Sequence, residues 1–536
     1  MKHRWLVIGI IALGLILRLW MFGTIPYGVN RDEASLGYNA FSILNTGRDE
    51  HGVLIPWQLE SFGDWKKPLY VYLSIIPIKI AGLSEQTTRV TSLIFSILLI
   101  IYAVKIAAYL TKNKPLLKAA TLFTALLFTL NPWHFFFSRI ASETMVATSL
   151  FVMAVYYLLV RKELRASLLL TLTLFTYHAF LLTVPLFLMT YLFLNRKSLI
   201  VNRVLINFGL VAASLVLLSY ATFFGPESVK GRTLMIYHLP IPVQQDIMAQ
   251  RTNPWSIIIH NKYVYIGNLF IKNYARSFSA NFLLGSQTLN PSYQIGWGGY
   301  FFPIEIILAI IGLAVGYFQL NKKYSFLLIG WLLAAPIPAA LTFEAVHATR
   351  EFLLAPAVLL FGSLGAAWLI GISRQKTVTL TMISLFIVAS SVPYMKYYFT
   401  HYQAESDDTY HGYMRAISQD IEINRLAGTY TNINITFLHE SPYIFYAFYN
   451  RLDPKVFLQT IEWYPPDFEG FVHVHRVNGI LFEERDEEAI ALKEIKKQNN
   501  LNYSRPDSLE YWIKPLKVWD NLVKVTEIVS WEENQI

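Results

Sequence analysis

The sequence predicts a polytopic α-helical membrane protein of about eleven spans that ends in a small extracytoplasmic α/β domain. Three observations carry this. Of 536 residues, 54% are hydrophobic, and the mean hydropathy is +0.39. Apolar runs recur along the first 400 positions, whereas soluble domains rarely combine such length with such apolarity. Lys and Arg gather in the short loops between those runs, which sets a topology. The net charge of +9 also hides a division: residues 1–400 hold 32 basic and 14 acidic residues, and residues 401–536 hold 13 and 22. A basic membrane half, 1–400, is therefore joined to an acidic, water-soluble tail, 401–536. Because the basic residues sit in inter-span loops, nucleic acid is excluded as the partner they serve. The chain has no cysteine, so it owes nothing to disulfides.

The opening run MKHRWLVIGIIALGLILRLW has no small-residue cleavage site behind it and reads as a retained first span over 5–22. The basic clusters are Lys2-His3-Arg4, Lys112 to Lys118, Arg161 to Arg165, Arg196 to Arg203, Lys322-Lys323 and Arg374 to Lys376. All of them face the cytoplasm if the spans are 5–22, 90–110, 117–133, 144–160, 166–178, 179–195, 204–224, 302–319, 325–341, 352–371 and 378–398. A crossing at 69–83 would invert every later loop. LYVYLSIIPIKIAGL is therefore expected along the outer interface or as a re-entrant segment. Residues 23–89 then form a first outer loop within the membrane half. Residues 225–300 form a long one, in which PWSIIIHNKYVYIGNLFIKNYARSF reads as interfacial helices. In the tail, YTNINITFLHE and GFVHVHRVNGILF alternate as strands do, and EERDEEAIALKEIKKQ reads as a charged helix.

The first outer loop opens with GVNRDEASLGYNAF, which puts Asp32 and Glu33 just past a membrane span. Carboxylates beside hydrocarbon are costly unless they are solvated, paired or put to use. Asp49, Glu50, Glu60 and Asp64 lie in the same loop, and of the acidic residues before the tail only Glu163 falls on the cytoplasmic side. FGDWKKPLY brings Lys66 and Lys67 beside Asp64, and GRDEHG adds His51. NPWHFFFSRIASE supplies His134, Arg139 and Glu143, and FEAVHATREF supplies Glu344, His347, Arg350 and Glu351. Cations at headgroup depth suit a lipid phosphate. Plainer readings stand beside these. Asp32 can pair with Arg31 or cap the following helix, and the lysines can snorkel. Arg139 and Glu143 can pair along one helix, and GRDEHG can be a polar turn.

The first loop, NRDEASLGYNAFSILNTGRDEHGVLIPWQLESFGDWKKPLYVYL, resembles the GT-C membrane glycosyltransferases. More narrowly it resembles the bacterial phospholipid-carrier-dependent branch related to protein O-mannosyltransferases and aminoarabinose (lipid A) transferases. NPWHFFFSRIASE, NYARSFSANFLLGSQTLNPSYQIGWGGYFFPIEIILAIIGL and HATREFLLAPAVLLFGSLG continue the resemblance in order, and SPYIFYAFYNRLDPKVF extends it weakly into the tail. The resemblance implies an inverting enzyme that takes a sugar from a polyprenyl-phosphate carrier and passes it to an acceptor hydroxyl outside the cytoplasm. It implies Asp32 as general base and Lys67 as phosphate ligand, with Arg350 adding to the clamp. By charge and placement, Lys66, Arg139 and His347 are further phosphate candidates, and Glu33, Asp64, Glu50 and His51 are candidate supporting, acceptor-side or metal-binding groups. The chain departs from the pattern where a metal-binding glutamate precedes the family lysine, since Lys66 stands there. It also has Ser292 and Tyr293 after Pro291, where relatives often carry a basic residue and a histidine. A divalent ion is compatible with Asp64, His51 or Glu33, but three or four convergent ligands would be needed for a zinc site.

A transporter or flippase for a lipid-linked sugar is the alternative. Transporters usually hold ionisable residues near mid-membrane in paired repeats. Here those residues gather at one face and no duplication is visible. A non-catalytic scaffold displaying the tail would leave the carboxylates of the first loop without a purpose.

Overall fold

The computed structural model describes residues 2–112, 117–196, 201–225, 234–285, 288, 290–296, 298–428, 432–435, 441–466, 472–482, 508–515 and 524–531. The charged run EERDEEAIALKEIKKQ and parts of the basic loops at 113–116 and 197–200 lie outside the described residues. A helix occupies each expected span, from Lys2–Leu19 through Glu85–Thr111, Glu143–Leu159 and Leu354–Ile372 to Lys376–Thr400. Among the described residues five helical segments are by themselves long and apolar enough to cross a membrane: Glu85–Thr111, Ile206–Phe224, Lys322–Ala340, Leu354–Ile372 and Lys376–Thr400. Others, including Leu117–Leu130, Phe180–Asn195 and Pro303–Gln319, are apolar but shorter. Leu69–Ala81 is another of these shorter apolar helices, with 13 residues.

The chain divides into two compact units, one of residues 1–25 and 89–405, the other of 26–88 and 406–536. The division read from the sequence kept residues 23–89 with the membrane half. In the structure residues 26–88 fold with the tail. Both ends of the loop are tied to it. Near the start, the Tyr27 amide donates to Ser406 Oγ at 3.0 Å, and Gly28 bridges His411. Gly28 has φ +84°, and an added Cβ would lie 2.3 Å from the Tyr410 carbonyl oxygen, so the approach requires glycine. At the far end Glu85 accepts from Arg415 at 2.5 Å and from the Tyr449 hydroxyl at 3.0 Å.

In the first unit, helices Pro303–Gln319 and Leu354–Ile372 meet through glycine. A Cβ on Gly312 would fall 1.7 Å from the Phe361 carbonyl oxygen, and one on Gly365 would fall 2.1 Å from that of Leu308. Such small-residue contacts let two membrane helices approach backbone to backbone. The long outer loop forms helices Ile241–Ala249, Pro254–Ile259, Lys262–Arg276 and Ala280–Leu283. Trp255, Ile258, Tyr263 and Ile271 are exposed along them.

In the second unit, helix Arg31–Thr46 packs on Leu69–Ala81, whose Tyr70, Ser74 and Ile78 form a buried stripe at four-residue spacing. Between them lies a hairpin of β1 (Leu59–Ser61) and β2 (Asp64–Lys66), paired Leu59 to Lys66 and Ser61 to Asp64. Its turn residues Phe62 and Gly63 both have positive φ, as a tight two-residue hairpin turn of matching twist demands. The tail carries a six-stranded sheet of β3 (Asn432–Ile435), β4 (Glu462–Trp463), β5 (Val474–Val477), β6 (Ile480–Phe482), β7 (Ser508–Pro515) and β8 (Lys524–Trp531), in the order β4-β5-β6-β3-β7-β8. β3 runs parallel to both neighbours, and the remaining pairs are antiparallel.

Candidate functional site

Helix Arg31–Thr46 begins with a capping box. The Asn30 side chain accepts the Glu33 amide at 2.8 Å, and the Glu33 carboxylate accepts the Asn30 amide at 3.4 Å. Asn30, not Asp32, is therefore the cap, and Glu33 is a buried cap partner rather than a solvated carboxylate. Asp32 is left in the first turn with 48% of its side chain exposed. Negative charge at that place is favoured by the unpaired amides and dipole of the helix N-terminus. Lys66, the last residue of β2, lays its ammonium 2.8 Å from Asp32 Oδ1, with 8% of its own side chain exposed. The same ammonium lies 5.5 Å from the centre of the Phe62 ring, and the Arg31 guanidinium lies 5.7 Å from that ring. Lys67 follows in the chain and is fully buried. Asp64 accepts the Trp65 amide at 3.0 Å. One half-exposed carboxylate, held at a helix start by a nearly buried ammonium, is an arrangement able to take a proton from a hydroxyl brought to it.

Glu50 and His51 are placed elsewhere. Glu50 is wholly buried, and its Oε1 accepts from Ser61 Oγ at 2.6 Å, Asn39 Nδ2 at 2.9 Å and Ser35 Oγ at 3.4 Å. Its Oε2 accepts from the Tyr443 hydroxyl at 3.1 Å, so the carboxylate joins helix, hairpin and tail. Burial and Glu50 push the Tyr443 phenol well above its usual range. Asp49, also buried, accepts the His51 and Val53 amides, and burial raises its carboxyl. The His51 ring stacks on Trp463 at 4.4 Å. Glu50 thus accepts four hydrogen bonds from groups of the second unit. Ser35, Asn39, Ser61 and Tyr443, which complete its shell, carry no sequence motif that singles them out.

The metal reading does not fit these residues. Among the described residues no three His, Asp or Glu side chains gather to hold an ion. Glu33 is committed to the cap, and His51 is stacked on an indole. The exposed carboxylate, Asp32, already faces an ammonium, which repels a dication.

In the first unit Arg139, a phosphate candidate in the sequence, is engaged by backbone carbonyls. It is fully buried, and its guanidinium donates to the carbonyls of Arg18 at 2.6 Å, Met21 at 2.8 Å and Ile25 at 3.3 Å, with Nε on the Tyr398 hydroxyl at 3.1 Å. Those carbonyls close the C-terminal end of helix Lys2–Leu19, where a cation is favourable. His134 is likewise buried, sharing Nδ1 with Arg18 and the Phe128 carbonyl. Arg350 donates to Glu344 at 2.9 Å and to Thr342 Oγ1 at 3.0 Å and stays partly exposed. His347 is buried, bonds Thr349 Oγ1 at 2.9 Å, and is pushed well below the usual imidazole range by burial and by Arg350. Glu351 is buried beneath it and accepts the His347 amide at 3.2 Å. Burial raises its carboxyl to about 8.

The chain has the fold of ArnT from Cupriavidus metallidurans, a GT-C membrane glycosyltransferase. The apo crystal structure of ArnT matches with a TM-score of 0.51 and 11% identity, over 84% of this chain and 85% of that one. The structure bound to undecaprenyl phosphate matches with 0.51 and 10%, over 96% and 94%. The archaeal oligosaccharyltransferase AglB from Archaeoglobus fulgidus, in complex with an inhibitory peptide and a dolichol-phosphate, matches with 0.47 and 13%, over 83% and 63%. At these identities the fold is what is shared. No protein-family model matches the sequence, and no curated protein matches it.

Proposed function

We propose that this chain is a multi-pass membrane glycosyltransferase that moves a sugar from a polyprenyl-phosphate carrier to an acceptor hydroxyl on the extracytoplasmic face, with inversion. The observation that carries the reading is the Asp32–Lys66 pair at a helix start, in a chain with the fold of ArnT. An ArnT structure binds undecaprenyl phosphate, which supports a lipid-linked donor. The clustering of basic residues in the opposite loops supports the extracytoplasmic placement.

In the proposed step the acceptor O–H gives its proton to the Asp32 carboxylate while the oxygen attacks the anomeric carbon. The bond from that carbon to the carrier phosphate breaks, and the phosphate leaves with the electron pair. Phosphate is already a good leaving group and needs charge stabilisation more than a proton. Lys66 orients Asp32 and contributes positive charge beside the reacting groups. Lys67 is retained as phosphate ligand on the strength of the resemblance, and its burial means the side chain must turn out to do so. Arg350, paired with Glu344, is kept as a phosphate candidate on the strength of the resemblance alone.

The test uses the full-length protein in nanodiscs with a panel of radiolabelled polyprenyl-phosphate sugars. Wild type should transfer or release label from one of them, and Asp32→Asn should bind that donor but turn over about 100-fold or more slowly. Turnover by Asp32→Asn at the wild-type rate would remove Asp32 from the mechanism. If label crosses the bilayer without transfer, the protein is a transporter.

A further inference from the structure

At the other end of helix Arg31–Thr46 lies a cavity of about 690 Å³, formed entirely within the second unit. Asn45 in its wall stands thirteen positions after Asp32 on that helix, about 20 Å along the axis. The cavity is therefore separate from the carboxylate–lysine pair.

Its walls combine three kinds of group. Trp463, half-buried, lines the cavity with an indole that has one face stacked on His51 at 4.4 Å, leaving the other for a ligand, and that makes an edge contact with Tyr443 at 5.8 Å. Lys455 and Gln459 stand four apart on helix Pro454–Thr460 and so share a face. Across from them are Asn45 and Arg48, the latter positioned by its bond to the Gly52 carbonyl at 2.7 Å. Neither Arg48 nor Lys455 has a carboxylate ion-pair partner among the described residues. Glu50, the acidic residue in the lining, has its charge spent on four hydrogen bonds.

A flat aromatic face, two side-chain amides and two cations make a site of defined chemistry. The indole suits the C–H face of a sugar ring. The amides suit its hydroxyls. The cations suit an anionic substituent, and a guanidinium takes a carboxylate with two parallel bonds. We propose that this cavity is a binding site for an acidic saccharide, a sugar residue carrying a carboxylate or a comparable anionic group. The site acts by binding alone and does not depend on the sugar-transfer reading. Were that reading also correct, a remote glycan subsite would lend binding energy to an extended acceptor.

The experiment measures binding of tetragalacturonate and sialyllactose, with maltotetraose as neutral control, to the full-length protein in phosphatidylcholine nanodiscs. Wild type should bind at least one acidic probe and prefer it to maltotetraose. The Arg48→Gln/Lys455→Gln double variant, which alters only exposed side chains, should weaken that binding about tenfold or more. Trp463→Ala should weaken it too, and Asp32→Asn should leave it unchanged. The proposal is overturned if neither acidic probe binds wild type, or if the double variant binds as wild type does. It is also overturned if phosphatidylglycerol nanodiscs abolish binding in wild type, because the cations would then read a lipid headgroup.

Discussion

Lys66 Nζ sits 2.8 Å from Asp32 Oδ1, joining the end of a three-residue strand to the first turn of a helix 34 positions earlier in the chain. The pair holds the Asp32 carboxylate in place at the helix start. A cation so placed near reacting groups would also stabilise charge that develops on a phosphate.

Lys66→Met should therefore lower kcat/KM by about 10- to 100-fold, because the base loses the cation that holds it and the reacting groups lose its charge. Lys66→Arg should restore part of the rate. A kcat/KM of Lys66→Met equal to that of wild type would show that the pair takes no part in the reaction.

Glu50 predicts a different signature. With four donors aimed at one buried carboxylate, Glu50→Gln turns one favourable contact into a clash of donors and should cost about 1–3 kcal/mol of stability. The loss should appear as a lower Tm of the detergent-solubilised protein, with donor affinity unchanged. A variant with full stability but no donor binding would place Glu50 among the ligand-contacting residues.

Arg139→Met should be more damaging to the fold than to recognition. It leaves the carbonyls of Arg18, Met21 and Ile25 without their buried donor, a loss of about 3 kcal/mol or more. Melting temperature is the readout, set beside the Kd for undecaprenyl phosphate measured on the surviving folded fraction. A changed Kd at unchanged Tm would mark Arg139 as a phosphate ligand.

Glu351 makes stability fall as pH rises. Its folded-state carboxyl is raised by burial to about 8, against the opposing help of the His347 amide, Ser277, Arg350 and Arg276. Tyr300 faces it as well. Folded protein therefore holds a proton that unfolded chain releases above the ordinary carboxylate range. The stability from this group is complete below that range and is lost as pH climbs through about 8. Glu351→Gln should flatten the dependence of Tm on pH between about 5 and 8. An equally steep dependence in the variant would assign it to another group.

Much of this was legible in the residues themselves. Hydropathy placed a helix at every expected span, and the ordered motifs led to the fold that ArnT shares. The sequence does not tell what the basic residues of NPWHFFFSRIASE meet, because a cation near a span end reads alike whether it faces a phosphate or a row of carbonyls. The same holds for GRDEHG, where Glu50 is a buried acceptor whose donors are scattered over three elements.

By itself, the sequence determined which segments are apolar enough for membrane helices and that a carboxylate pair follows the first of them, since both are matters of local composition and spacing. Tertiary structure alone decided that Asn30 caps the helix, that Lys66 is the cation meeting Asp32, and that Tyr443, 393 positions from Glu50, completes its shell. It also decided that the loop folds with the tail. Burial decides such pairings, because a charge taken out of water must find its partner among whatever the fold brings near, and distance along the chain does not enter.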